Sequence, residues 1–105
     1  MSALEIQEYL HLYSMFSFKD GRKEAGILIN KYNIIKGEIE YLFVPQLNMQ
    51  AYKSAFENYD RDTYSSLVEI IDADQLLSIS PVTLSDYKII MELLQERKQL
   101  LNTMR

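Results

Sequence analysis

The sequence predicts an α+β fold: a small, bent antiparallel sheet or barrel of five strands, with helices attached to it. Three observations lead there. Residues on either side of Lys19-Asp20-Gly21-Arg22 alternate in polarity, which is the period of half-buried strands meeting at a tight turn. A second strand–turn–strand unit, Leu67 to Ser80, ends at Pro81. Two further stretches, at 48–58 and from Leu84 onward, place apolar residues at helical spacing instead.

Taken in order, Ser2-Ala3-Leu4-Glu5 reads as a capping box that opens a short helix from Ala3 to about Tyr9. The period then changes to two. Leu10, Leu12, Phe16 and Phe18 fall on one face of an extended strand, opposite His11, Tyr13, Met15 and Ser17. Asp20-Gly21 supplies the positive φ of a hairpin. Strand two carries Ala25, Ile27 and Ile29 on one face, and Gly26 within it marks a bend or close backbone packing. A turn over Tyr32–Gly37 leads to strand three, Glu38 to Val44, which Pro45 ends by withholding an amide proton.

Asn48 is placed to cap a helix that runs to Asn58, with Met49, Tyr52, Ala55, Phe56 and Tyr59 on one stripe. Asp60-Arg61-Asp62-Thr63 reads as a polar loop. Leu67–Ile71 and Leu76–Ser80 are strands four and five, joined by a tight turn at Ala73–Gln75. Thr83-Leu84-Ser85-Asp86 is a second capping box, opening the longest helix, Leu84 to about Thr103. The whole chain, 105 residues, reads as one domain and is long enough to fold without metal or disulfide support.

Composition narrows the chemistry. There are no cysteines, which removes disulfides, thiolate metal sites, iron–sulfur clusters and cysteine nucleophiles, and fits a reducing cytoplasm. His11 is the only histidine, so one chain holds no histidine metal cluster, and no nucleophilic triad is visible. No cofactor motif and no phosphate-cradling glycine loop is present. The N-terminus lacks a signal-peptide core, because Glu5 and Glu8 interrupt it, and no apolar run reaches membrane-spanning length. A cytoplasmic, membrane-free protein is the expectation. Net charge is −4, a field that opposes a phosphate backbone.

The order of these elements resembles the Sm and LSm proteins, small SH3-like barrels that assemble into rings and bind RNA. Lys19-Asp20-Gly21-Arg22 with Gly26-Ile27-Leu28 is similar to the family's first motif, and Ile71-Asp72-Ala73-Asp74-Gln75-Leu76-Leu77-Ser78-Ile79 to its second. The resemblance spans Ser2 to Val82, with a helical insertion between strands three and four where the family has a variable loop. It implies Tyr32 in the place of the base-stacking aromatic and Asn33 in that of the acidic residue, while the later asparagine falls at or near Gly37. The family's Arg-Gly is replaced by Asp72-Ala73, which puts a carboxylate where a guanidinium would meet phosphate. The resemblance therefore implies the fold without its usual RNA site.

Other candidate chemistry is weighed against plainer readings. Asp60-Arg61-Asp62 fails as a calcium loop, because Ser65 and Ile71 stand where glycine and glutamate are needed. Lys19, Arg22 and Lys23 cluster at the first hairpin, as a solvated turn or as an anion contact. In the last helix the stripe Tyr87, Ile90, Met91 and Leu94 is interrupted by Gln95–Gln99 and resumes at Leu100, Leu101 and Met104, read either as turns that pack on the domain or fray, or as a contact with a partner or a second copy. The resulting expectation is a non-enzymatic interaction or assembly module that self-associates or binds a protein partner. The alternative is an LSm-like RNA-binding ring using Tyr32, Asn33 and the Lys19–Lys23 turn.

Overall fold

The structure, a computed structural model, describes residues 1–103, and side chains throughout except at positions 84, 87, 93 and 97–103. Helix α1 spans Ala3–Gln7, followed by strands β1 (Ser14–Phe18), β2 (Lys23–Asn33) and β3 (Glu38–Pro45). A 3₁₀ turn, Gln46–Asn48, leads into α2 (Met49–Glu57) and α3 (Arg61–Ser66). Strand β4 (Glu69–Ile71), a 3₁₀ turn at Ala73–Gln75 and β5 (Leu76–Ser80) follow, and α4 covers Leu84–Thr103. The α+β class and the five antiparallel strands agree with the sequence expectation; the sheet order is β4-β3-β2-β1-β5.

Pairing registers decide which side chains share a face. Phe16 and Phe18 of β1, Leu28 of β2, Phe43 of β3 and Ile71 of β4 lie on the inner face and form the main core with Leu76 and Ile79 of β5. Ile6 of α1, fully buried, closes that core. Phe43 is its centre, with ring centroids 4.9 Å from Phe16 and 5.5 Å from Phe18, both edge-on. Edge-to-face contact suits the opposed charges of ring face and ring edge.

Two irregularities make this packing possible. Leu76 pairs with Phe18 and Ser78 with Ser17, so Leu77 is an extra residue in the ladder. Such a bulge turns both Leu76 and Ile79 inward although they are not spaced by two, and it pushes Leu77 outward. Gly26 is the second. A Cβ there would collide with the Val44 carbonyl oxygen and lie 2.8 Å from Phe43 Cε2. Only a glycine lets strand and ring approach so closely.

The outer face is covered from two sides. Met15 and Ala25 form a second small cluster with Ile90 of α4, flanked by Val82 and Leu94. Helix α2 lies over Val44 and the outer residues of β2. Its Tyr52 and Phe56 form an aromatic group with Tyr64 of α3, at centroid separations of 5.9–6.3 Å.

Several local expectations are corrected. Strand β1 begins at Ser14: His11 has a left-handed φ of 65°, which diverts the chain, and Leu10 makes only an isolated bridge to Leu28. Leu12 is exposed in consequence. Asn48 does not cap α2 with its side chain, which donates instead to the Leu67 carbonyl 3.2 Å away. The segment after Asp60 is helix α3, because the Asp60 carboxylate accepts from the Thr63 amide and hydroxyl. At α4 the capping box is present in both directions: Thr83 N donates to Asp86 Oδ2, and Asp86 N donates to Thr83 Oγ1.

Candidate functional site

The first hairpin is a structural clamp. Arg22, just after the Asp20-Gly21 turn, sends Nη1 and Nη2 to the two carboxylate oxygens of Glu69 on β4, each at 2.9 Å. Its guanidinium also lies 4.0 Å from the Phe18 ring centroid and 3.5 Å from Glu24. The hydrogen bonding to Glu69 outweighs partial burial and raises the pKa of Arg22. Gly21, at φ 96°, and the Arg22 amide donating to Asp20 Oδ1 hold the turn that aims this side chain.

The other two cations of that hairpin diverge. Lys23 Nζ lies 3.6 Å from Asp86 of α4, whose own pKa is lowered chiefly by the Thr83 amide and then by its hydroxyl. Lys19 is exposed, and its backbone amide donates to the Gln75 carbonyl. The Lys19–Lys23 turn therefore presents one guanidinium and one ammonium already facing carboxylates. That geometry weakens its field toward an external anion.

Tyr32 and Asn33 close strand β2 at the second hairpin. Tyr32 is exposed, while Asn33 is spent on the turn: its Nδ2 donates to Glu40 and its Oδ1 accepts from the Lys36 amide. Gly37 completes the turn at φ 67°. Asp72 and Ala73 belong to the 3₁₀ turn between β4 and β5, where the Asp72 amide donates to Gln75 Oε1 at 2.7 Å. The carboxylate of Asp72 is thus part of a reciprocal cap.

What the alternation pattern did not announce is how much apolar surface remains uncovered. Ile34 and Ile35, at the tip of the β2–β3 hairpin, are 85% and 98% exposed. Ile70 on β4 and Leu77 on β5, the two sheet edges, are each 64% exposed. Two isoleucines inside a turn otherwise built from Tyr, Asn, Lys and Gly were the signal for the tip. The edge pair had none, because it depends on strand order.

Three concavities among the described residues are large enough to consider. One, of about 300 Å³, lies between α4 and the sheet and contains Lys23, Glu24 and Asp86 among apolar neighbours. A second, about 350 Å³, runs between α2 and the outer face of β2 and β3. The third, about 430 Å³, is the polar hollow beside the Arg22–Glu69 pair. Burial, and then the neighbouring Tyr64, raises the pKa of Tyr52 beside the second. Among the described residues no three His, Asp or Glu side chains converge as a metal set, and no helix is long and apolar enough to cross a membrane. Leu100, Leu101 and Met104 lie outside the described side chains.

No protein-family model matches the chain, and no curated protein or solved structure matches it.

Proposed function

We propose that this chain is a non-enzymatic assembly or protein-interaction module built on an SH3-like barrel of the Sm type. The observation that carries the assembly reading is the pair of sheet edges that have no second strand partner among the described residues, although the Met1 ammonium donates to the Leu76 carbonyl where β5 begins. Strands β4 and β5 each pair on one side only, and each carries an exposed large aliphatic residue, Ile70 and Leu77. An unpaired edge is a template for another strand, and aliphatic side chains on it reward the pairing by burial. Because the two edges differ, joining one to the other between copies is a head-to-tail contact, which closes into a ring or propagates.

Support for the barrel comes from curvature. Arg22 follows β1, yet it grips Glu69 on β4 across the inner face, and the sheet's two edges are consecutive strands joined by one 3₁₀ turn. Both features support a strongly curved sheet, as the barrel reading needs. Leu100, Leu101 and Met104 belong to the same reading on their spacing in the sequence.

Light scattering on the native chain, on Ile70→Lys with Leu77→Lys, and on a chain lacking residues 100–105 tests it. The expected result is an oligomer that the edge variant reduces to monomer without loss of circular dichroism. A strict monomer at all concentrations, together with no partner capture that either variant weakens, overturns it.

The exposure of Tyr32 favours a second reading, an RNA-binding ring that stacks a base there, with exposed Lys19 at the hairpin on the other end of β2. Absence of oligo-U binding at about 50 mM salt, where electrostatic affinity is strongest, removes it.

A further inference from the structure

The groove beneath α2 differs chemically from the other two hollows. Its floor is Ile27, Ile29 and Val44 of the sheet, and its wall includes Phe56, exposed to 61% although it faces this apolar surface. Its polar groups are Lys53, His11 and Tyr52, and among the described residues no carboxylate lines it. The other hollows both contain acids, Glu24 and Asp86 in one, Asp20, Glu69 and Asp74 in the other. In a chain of net charge −4 this is a local reversal of sign over apolar surface.

A second feature points to the same place. His11 holds a left-handed backbone at φ 65°, fixed by its amide donating to the Leu28 carbonyl at 2.9 Å. Histidine tolerates that region better than most side chains, but the conformation still costs energy. It sets an imidazole on the rim of a mostly apolar groove.

We infer that the groove between α2 and the outer face of β2 and β3 binds a fatty carboxylate, its chain against Ile27, Ile29 and Phe56 and its head group taken by Lys53 and His11. The volume of about 350 Å³ is at the small end of ligand pockets, which suits a medium-length acyl chain. The ammonium and imidazole donate charge-assisted hydrogen bonds to the carboxylate, and the chain leaves water for aliphatic surface. This site is independent of the sheet edges and of the assembly reading.

The test uses the whole chain and three probes below their micelle concentrations: decanoate, decanol and decyltrimethylammonium. Methyl spectra of Met49, Ile27 and Ile29 are followed on titration. Saturable shifts with decanoate, and affinity for decanol weaker by about tenfold or more, are expected from loss of one charge-assisted hydrogen bond. Lys53→Glu, at an exposed helix position, removes that preference, and Ile29→Trp fills the groove and abolishes binding. No saturable shift, or equal response to all three probes, overturns the proposal. Shifts that follow protein concentration without ligand overturn it too, since they mark a second copy as the occupant. Should Ile29→Trp fail to fold, the Lys53→Glu comparison decides alone.

Discussion

Arg22 and Glu69 are 47 residues apart in sequence and share two parallel hydrogen bonds of 2.9 Å, tying the first hairpin to the sheet's edge strand β4. The guanidinium is at the same time stacked on Phe18, so one side chain closes the polar end of the inner face and covers the core's aromatic rim. Both partners are more than a third exposed, which limits what solvent leaves of their attraction.

Arg22→Met keeps the aliphatic stem and removes the fork. Equilibrium urea denaturation is expected to show a loss of about 1–2 kcal/mol, from a screened ion pair plus one cation–π contact. Arg22→Lys retains charge but not bidentate geometry, and falls between the two. Raising the salt concentration narrows the gap between native and Met variant.

Gly26→Ala is a sharper test of the sheet. The new methyl meets the Val44 carbonyl and the Phe43 ring, neither of which can retreat without opening the core. Overpacking of this kind costs about 1–3 kcal/mol and more where backbone is the obstacle. A thermal melt unchanged from the native chain contradicts the close approach.

Phe43→Ala removes the ring that both Phe16 and Phe18 contact edge-on. A loss of about 3–5 kcal/mol is expected by denaturant titration, a large share of the stability of a domain this size.

Acid tests the caps. The Thr63 hydroxyl, then its amide, lowers the Asp60 pKa below its ordinary 3.8 in the folded chain. A carboxylate with a depressed folded pKa contributes stability above its unfolded value, and the contribution disappears as pH falls through the folded one. Asp60→Asn therefore destabilises α3 at neutral pH, and its difference from the native chain shrinks below pH 3.8. Asp86, held down by the Thr83 amide and hydroxyl, behaves alike at the start of α4. Stability measured from pH 7 downward, with Asp60→Asn and Asp86→Asn as references, reads both.

Substituting Ile34 and Ile35 by lysine removes two almost fully solvated aliphatic side chains. Their replacement leaves folding stability within about 0.5 kcal/mol, as for surface sites that contact nothing. If the tip takes part in assembly, the same variant shifts the oligomer distribution in sedimentation.

Much of this architecture follows from short-range rules that the residues state themselves. Asp20-Gly21 and Gly37 supply the left-handed turns, alternation lays out β2 and β3, and Thr83 with Asp86 opens α4. Each needs only neighbours a few positions away. Where local rules competed, the sequence reading failed: Leu10 and Leu12 alternate with the strand, but His11 turns the chain before β1 begins. Asp60 was legible as polar and not as a cap, because the helix it starts has almost no apolar stripe.

The candidate sites were less legible, since they are made of distance. Lys19, Arg22 and Lys23 form one cationic cluster in sequence, yet folding delivers Glu69 to one and Asp86 to another. Ile70 and Leu77 read as ordinary strand residues until strand order places them on opposite edges. The groove of His11, Ile27 and Lys53 draws on three segments that no local pattern joins. Sequence alone determined the elements, because turn, cap and alternation energies are local. Tertiary structure alone decided which charges are neutralised and which apolar residues stay wet, because both depend on what the rest of the chain brings alongside.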